Sequence, residues 1–284
     1  MTRWLVRFGY DGSRFLGWAR QPGARTIEGC IRDGLTRRNI APSADGAHLE
    51  VASRTDRGVS ARANALALVS EVPPDSLLRR LNAISPEIFF TAIAPLAPGF
   101  RVRHADRRVY RYFDPRPPID PVGGTRAAEL FRGRIDVRSF GRGLAGSAPV
   151  WRTVEAVTVR SWQDGRTIEV RAPSFVWGMV RKIVGALREV DLGRLSIGRL
   201  EEAIKGHARL TLPLSEPDGL VLWEVQYGSV PWVATWPGPN RHQAAYVVST
   251  REALAGRQAV VRAIFDRQLR PSDARATGGP SSGF

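Results

Sequence analysis

The densest group of reactive side chains in the chain is Ser53-Arg54-Thr55-Asp56-Arg57-Gly58-Val59-Ser60-Ala61. Flanking guanidinium groups keep a carboxylate anionic, and an anionic carboxylate can attack carbon as a nucleophile. Gly58 permits a sharp backbone reversal directly afterwards. Spacing alone favours a plainer reading, an Asx-turn with solvated arginines. Chemistry at Asp56 therefore requires other elements to bring partners to it. The remaining candidates are weaker. His48, His104, His207 and His242 are scattered without metal-ligand spacing, so no metal site is expected. Cys30 is the only cysteine, which excludes an intrachain disulfide and points to a reducing, cytoplasmic setting. Gly141-Arg142-Gly143-Leu144-Ala145-Gly146 fits G-x-G-x-x-G, but Ser147-Ala148-Pro149-Val150 after it opens no helix. A loop is the better reading there than a dinucleotide site.

The charge balance indicates what such a site would meet. The 284 residues carry 42 Lys and Arg against 27 Asp and Glu, a net charge of +15, with an ordinary hydrophobic content of 43%. Only Lys182 and Lys205 are lysines, so the positive charge is almost wholly guanidinium. Guanidinium groups fork onto phosphates and stack on bases, and clustered cations gain affinity for a polyanion by releasing its counterions. A nucleic acid, RNA in particular, is the expected partner. No apolar run approaches the roughly 18 residues that cross a bilayer. Met1 to Trp4 leads straight into a strand pattern, so no leader is expected.

Positioning Asp56 falls to a repeated pattern of elements. Alternation from Trp4 to Tyr10 predicts a strand. Thr26 caps a helix through Ile27, Cys30, Ile31 and Leu35. Strands follow near 49–52 and 65–69, then a helix over 76–82 and a strand over 88–93. The order β-α-β-β-α-β then recurs. A strand is expected over 109–113 and a short helix over 127–131. A hairpin of 154–162 with 167–172 turns at Gln163-Asp164-Gly165. A long helix carries Phe175, Val176, Met179, Val180, Ile183, Val184 and Leu187; Ser196 caps a further helix to Lys205, and a strand closes the pattern over 220–227. Two tandem split β-α-β units imply an α+β protein of two ferredoxin-like lobes, 1–104 and 105–230, whose antiparallel sheets join around a central basic cleft. Residues 231–284 read as an extension, with a Pro- and Trp-rich stretch at 231–241, an amphipathic basic helix over 251–269 and a flexible end.

Five blocks in order carry a resemblance. Arg54-Thr55-Asp56 with Gly58-Val59 and Ala61 resembles the motif of the tRNA pseudouridine synthase A family. Tyr10-Asp11-Gly12-Ser13 with Gly17-Trp18 and Gln21 is similar to that family's opening segment. Arg108-Val109-Tyr110-Arg111-Tyr112, Phe175 to Gly185 and Gly219-Leu220-Val221-Leu222 resemble its later blocks. Together they span about residues 4 to 227.

The resemblance implies the pseudouridine synthase fold and isomerisation of uridine in tRNA, at positions 38 to 40 of the anticodon stem-loop, with no cofactor. It implies that Asp56 is the nucleophile, forming a covalent intermediate at C1′ of the ribose or C6 of the base. Tyr110 would lie against the uracil and assist proton removal at C5, and Arg181 would pair with Asp56. Arg54 would fill the gap left by the extruded nucleotide, and Leu220 would wall the base from below. Two subunits sharing one tRNA are a further expectation, since family members often form homodimers. Departures stand at Ser53, at Ser60 where many members have His, at Ala19 and at Gly178; Ser60 would offer its hydroxyl to the RNA backbone. A catalytically silent RNA-binding protein and a uracil-directed glycosylase are the rival readings.

Overall fold

The computed structural model describes residues 1–41, 43, 46–144, 146, 148–163, 165–228, 230–235 and 238–269, with side chains followed to residue 256. Its elements are β1 (Thr2–Tyr10), α1 (Ile27–Arg37), β2 (Glu50–Val51), β3 (Ser60–Ser70), α2 (Pro74–Asn82) and β4 (Ile88–Pro95). They continue with β5 (Arg107–Asp114), α3 (Pro121–Glu129), β6 (Gly133–Asp136), β7 (Trp151–Val154), β8 (Ala156–Trp162) and β9 (Gly165–Ala172). Last come α4 (Met179–Asp191), α5 (Ile197–Ile204), β10 (Leu220–Gln226), β11 (Ala234–Thr235) and α6 (Arg241–Leu269).

One sheet organises the molecule, with strand order β11-β4-β1-β3-β10-β5-β9-β8 and β2 added beside β3; β6 and β7 form a separate hairpin. Its pairings are antiparallel except where β3 meets β10 in parallel, Ser60 opposite Val221 and Ala61 opposite Leu222. That parallel seam joins the two β-α-β-β-α-β repeats, so the α+β architecture with joined antiparallel sheets matches the expectation. Alternation puts Trp4, Val6, Phe8 and Tyr10 on one face of β1, where Phe8 packs within 5.8 Å of the rings of Trp18 and Phe90. The helices bury their apolar stripes likewise: Ile27, Ile31 and Leu35 of α1, and Met179, Ile183, Val184 and Leu187 of α4. The described residues up to Gly238 gather into one compact unit and those from Pro239 onwards into another.

Several boundaries differ from the sequence pattern for local reasons. α2 starts at Pro74, since proline is well placed at a helix's first turn. α3 occupies Pro121–Glu129 instead of 127–131, with Asp120 capping it by accepting from the Gly123 N–H (2.8 Å). The strand expected from Val154 is two, β7 and β8, separated at Glu155. α6 begins ten residues before the expected Arg251, where the Asn240 side chain accepts from the Gln243 N–H at 2.9 Å. The flexible end expected over 276–284 lies outside the described residues. Among the described residues no helix is long and apolar enough to cross a membrane.

The second repeat is pinned by a buried charge. Arg166, at 2% side-chain exposure, lies 3.6 Å from both Asp114 and Asp191, whose side chains are fully buried. Arg116 and Arg188 supply further cations to these two carboxylates, and Asp191 also accepts from the N–H groups of Ile119 and Asp120. Removing one member of such a set leaves charge buried without its partner. Arg166→Met should therefore destabilise the protein by roughly 3–5 kcal/mol in urea unfolding. An unchanged midpoint would show that the network is not a structural pin.

Candidate active site

The segment between β2 and β3 has few regular hydrogen bonds of its own, so side chains from elsewhere hold it. The Asn64 amide donates to the Ser53 carbonyl (2.9 Å), and Arg108 donates to the Ser53 hydroxyl (2.9 Å), the Ala52 carbonyl (3.1 Å) and the Pro173 carbonyl. The buried Tyr10 hydroxyl pairs with the Thr55 hydroxyl at 2.8 Å, and the Trp18 N–H donates to the Thr55 carbonyl at 3.0 Å. With its buried polar groups satisfied, the loop is fixed rather than free. The Val59 N–H closes a turn onto the Asp56 carbonyl (3.2 Å), and Gly58 adopts φ +81° within it. A Cβ at Gly58 would stand 2.7 Å from an Asp218 carboxylate oxygen, so the turn needs glycine for both reasons.

Strand register carries the partners to this loop. The parallel pairing of β3 with β10 sets Leu220 beside the loop's end, and β10 pairs with β5 so that Leu222 faces Tyr110. Leu220 and Tyr110 are both buried, and Phe175 meets the Tyr110 ring edge-on at 5.0 Å. α4 starts at Met179 after Gly178 in the left-handed region (φ +74°); Phe175 and Val176 thus belong to the approach loop, not to the helix expected from the apolar spacing. Two residues into α4, Arg181 donates through Nε to the Ser215 carbonyl (2.6 Å) and sets Nη1 3.4 Å from Asp56 Oδ2. The side chains of Asp56 and Arg181 are 30% and 11% exposed, so the pair is neither dry nor solvated. The second carboxylate oxygen, Oδ1, accepts from Trp177 Nε1 at 2.9 Å.

Asp56, Tyr110, Arg181, Arg54 and Leu220 all line one cavity of about 1590 Å³. That exceeds the roughly 300–1,000 Å³ of small-molecule sites. Arg14, Arg54, Arg57 and Arg103 line it as well and are exposed, which gives the opening a strongly positive character. An electrophilic carbon admitted to the floor would meet an anionic oxygen held by two donors, beside a phenol and an apolar wall. Sequence reasoning missed Trp177 as a partner of Asp56, and Arg142, whose guanidinium lies 4.0 Å from the Trp177 ring centroid. Neither has a periodic signal. Arg108 stood in a quoted block, but its buried role holding the 52–53 backbone was not foreseen. The Ser60 hydroxyl accepts from the Gly12 N–H at 3.0 Å, so it braces the loop while keeping its own O–H as a donor.

Comparison with known proteins bears on this geometry. The family described as tRNA pseudouridine synthase matches residues 127–228. The chain is 38% identical over 227 residues to tRNA pseudouridine synthase A of Thermococcus kodakarensis, spanning 79% of this chain and 85% of that one. It is 31% identical over 269 residues to the protein of that name from Methanothrix thermoacetophila, spanning 93% and 96%. The chain belongs to the tRNA pseudouridine synthase A family.

In this family member, burial governs the tyrosine at the site. It pushes the Tyr110 phenol up to about 12, with the Asp56 charge adding to the rise and Arg108 and the Ser53 hydrogen bond opposing it. Burial raises Tyr10, Tyr112 and Tyr227 too. Tyr110 is thus a neutral phenol over the working range. Its folded value lies above the unfolded value of about 10, so its contribution to stability is complete below about pH 10 and is lost as pH climbs towards 12. Absorbance titration should accordingly show the tyrosinate of these four of the five tyrosines emerging above pH 10, together with falling stability. Their ionisation near pH 10 in the folded protein would contradict the burial argument.

Proposed function

We propose that the chain converts uridine to pseudouridine in tRNA with Asp56 as nucleophile, at positions 38 to 40 of the anticodon stem-loop. Family membership supports the isomerisation itself. The observation that carries the role of Asp56 is its carboxylate, held by Arg181 and Trp177 on the floor of an arginine-lined cavity.

The reaction is a redistribution of bonds. C1′–N1 breaks, C1′–C5 forms, a proton leaves C5 and a proton arrives at N1, so no electrons enter or leave overall. Asp56 attacks the extruded nucleotide at C1′ of the ribose or C6 of the base, and its carboxylate is expelled again once the new glycosidic bond is made. Extracting the nucleotide costs a few kcal/mol of stacking. The exposed Arg54 takes the vacated place in the RNA stack. Tyr110 offers its ring to the uracil, and its neutral phenol assists by hydrogen bonding while solvent in the cavity accepts the C5 proton. Leu220 closes the pocket beneath. The lobes 1–104 and 105–230 meet along the β3–β10 seam, next to which the reacting groups lie. A cytoplasmic homodimer that uses 231–284 as an RNA-binding or docking extension completes this reading.

Asp56→Asn preserves size and removes the charge. It should abolish pseudouridine formation on unmodified tRNA while changing tRNA affinity by no more than a few-fold. Near-normal formation by the variant would end the nucleophile assignment. The arginine lining predicts separately that affinity falls with salt. Arg57→Ala should reduce the log–log slope by roughly 0.7–0.9, one phosphate contact's worth. An unaltered slope would place Arg57 away from the RNA backbone.

A further inference from the structure

Trp177 has an unusual combination of properties. The residue is 55% exposed and lines the cavity, yet its Nε1–H is committed to Asp56 Oδ1 at 2.9 Å. A large exposed indole is ordinarily mobile, so something must fix it. The Arg142 guanidinium lies against it, 4.0 Å from the ring centroid, and the Arg142 N–H donates to the Trp177 carbonyl at 2.8 Å. Arg142 is itself fixed by its chain neighbour: the Gly141 N–H donates to the Val137 carbonyl (2.7 Å), and the Lys182 ammonium donates to the Gly141 carbonyl at 3.1 Å. Of the glycines in this loop, Gly141 serves packing. A Cβ at Gly141 would stand 2.4 Å from Leu144 and 2.8 Å from Val176. Gly178, at φ +74°, lets the chain turn into α4 just after the indole, and a Cβ there would press on Arg142 at 3.0 Å.

We propose that Trp177 is the second positioning residue of the nucleophile, and that Arg142 clamps it. The inference rests on Asp56 being the nucleophile. A carboxylate held through one oxygen can still rotate about its Cβ–Cγ bond. Arg181 holds Oδ2, and Trp177 holds Oδ1 from the cavity side. Two donors on two oxygens fix the plane of the group. Each oxygen still keeps a lone pair with which to attack. The contribution is one of orientation, so it is felt in the chemical step and not in RNA affinity. The donor, not the ring, carries it. Arg142 acts one step further out, through the indole.

The test compares Trp177→Phe, which keeps a ring and loses the N–H, with Trp177→His, which keeps a ring N–H. The readouts are the single-turnover rate of pseudouridine formation and the dissociation constant, both with unmodified tRNA. Phe should slow the chemical step roughly tenfold or more, the scale of a hydrogen bond to a charged group, with the dissociation constant within about threefold of the parent. His should recover most of the loss, and Arg142→Leu should fall between Phe and the parent. A Phe variant as fast as the parent would overturn the proposal. So would equal losses in Phe and His accompanied by weaker binding, which would mark the indole as a stacking surface for RNA. An active Asp56→Asn protein would instead sink the nucleophile reading itself, whatever the Trp177 variants do.

Discussion

The contact between Asp56 and Arg181 is the constraint on which the rest of the site depends. A carboxylate that attacks carbon must be charged, aimed and only partly hydrated, and these demands conflict. Full exposure lets water and salt screen the partner, while full burial makes the desolvation of two charges costly. The observed exposures, 30% for the acid and 11% for the base, lie between the two extremes. Arg181 can hold that position because the Ser215 carbonyl takes its Nε, leaving Nη1 directed at the acid. The segment bearing Ser215 passes close to α4 at Gly185, where a Cβ would stand 2.2 Å from the Pro213 carbonyl oxygen. One glycine in a helix thus determines how a guanidinium is presented.

The same logic explains why the sheet is joined where it is. Asp56 comes from the first repeat; Tyr110, Arg181 and Leu220 come from the second. The parallel β3–β10 seam lies beside the end of the loop that carries Asp56, and Arg181 of α4 comes within 3.4 Å of its carboxylate. Arg108 spans the join, its guanidinium reaching from β5 to the backbone at Ala52. RNA entering the arginine-lined cavity would displace water from the half-exposed pair and strengthen every charge interaction within it.

Much of this was legible in the sequence, and the exceptions follow a physical pattern. Elements with a strong period were read correctly in type and order, because β1 alternates and α1 and α4 carry apolar stripes. The start of α4 was misread because apolar residues in a loop, Phe175 and Val176, extend the stripe beyond the helix; the positive φ at Gly178 is what ends it. α3 was placed too late in the chain because the Asp120 cap that starts it was not recognised. The positions quoted for the site, Asp56, Tyr110, Arg181, Arg54 and Leu220, rest on resemblance, since spacing alone favoured a solvated turn at Asp56. Trp177 and Arg142 escaped because a hydrogen bond across 121 residues and a cation stacked on a ring leave no periodic trace. The bracing role of Ser60 went unseen for a related reason, since the N–H that its hydroxyl accepts from lies 48 residues away.

The central claim is that the guanidinium at position 181 holds the nucleophilic carboxylate in place for attack. Single-turnover pseudouridine formation by Arg181→Met, with unmodified tRNA in saturating amounts, tests it most directly. The account predicts a fall of at least about a hundredfold, roughly 3 kcal/mol in the barrier, with Arg181→Lys retaining part of the rate. A methionine variant reacting at close to the parent rate would contradict it.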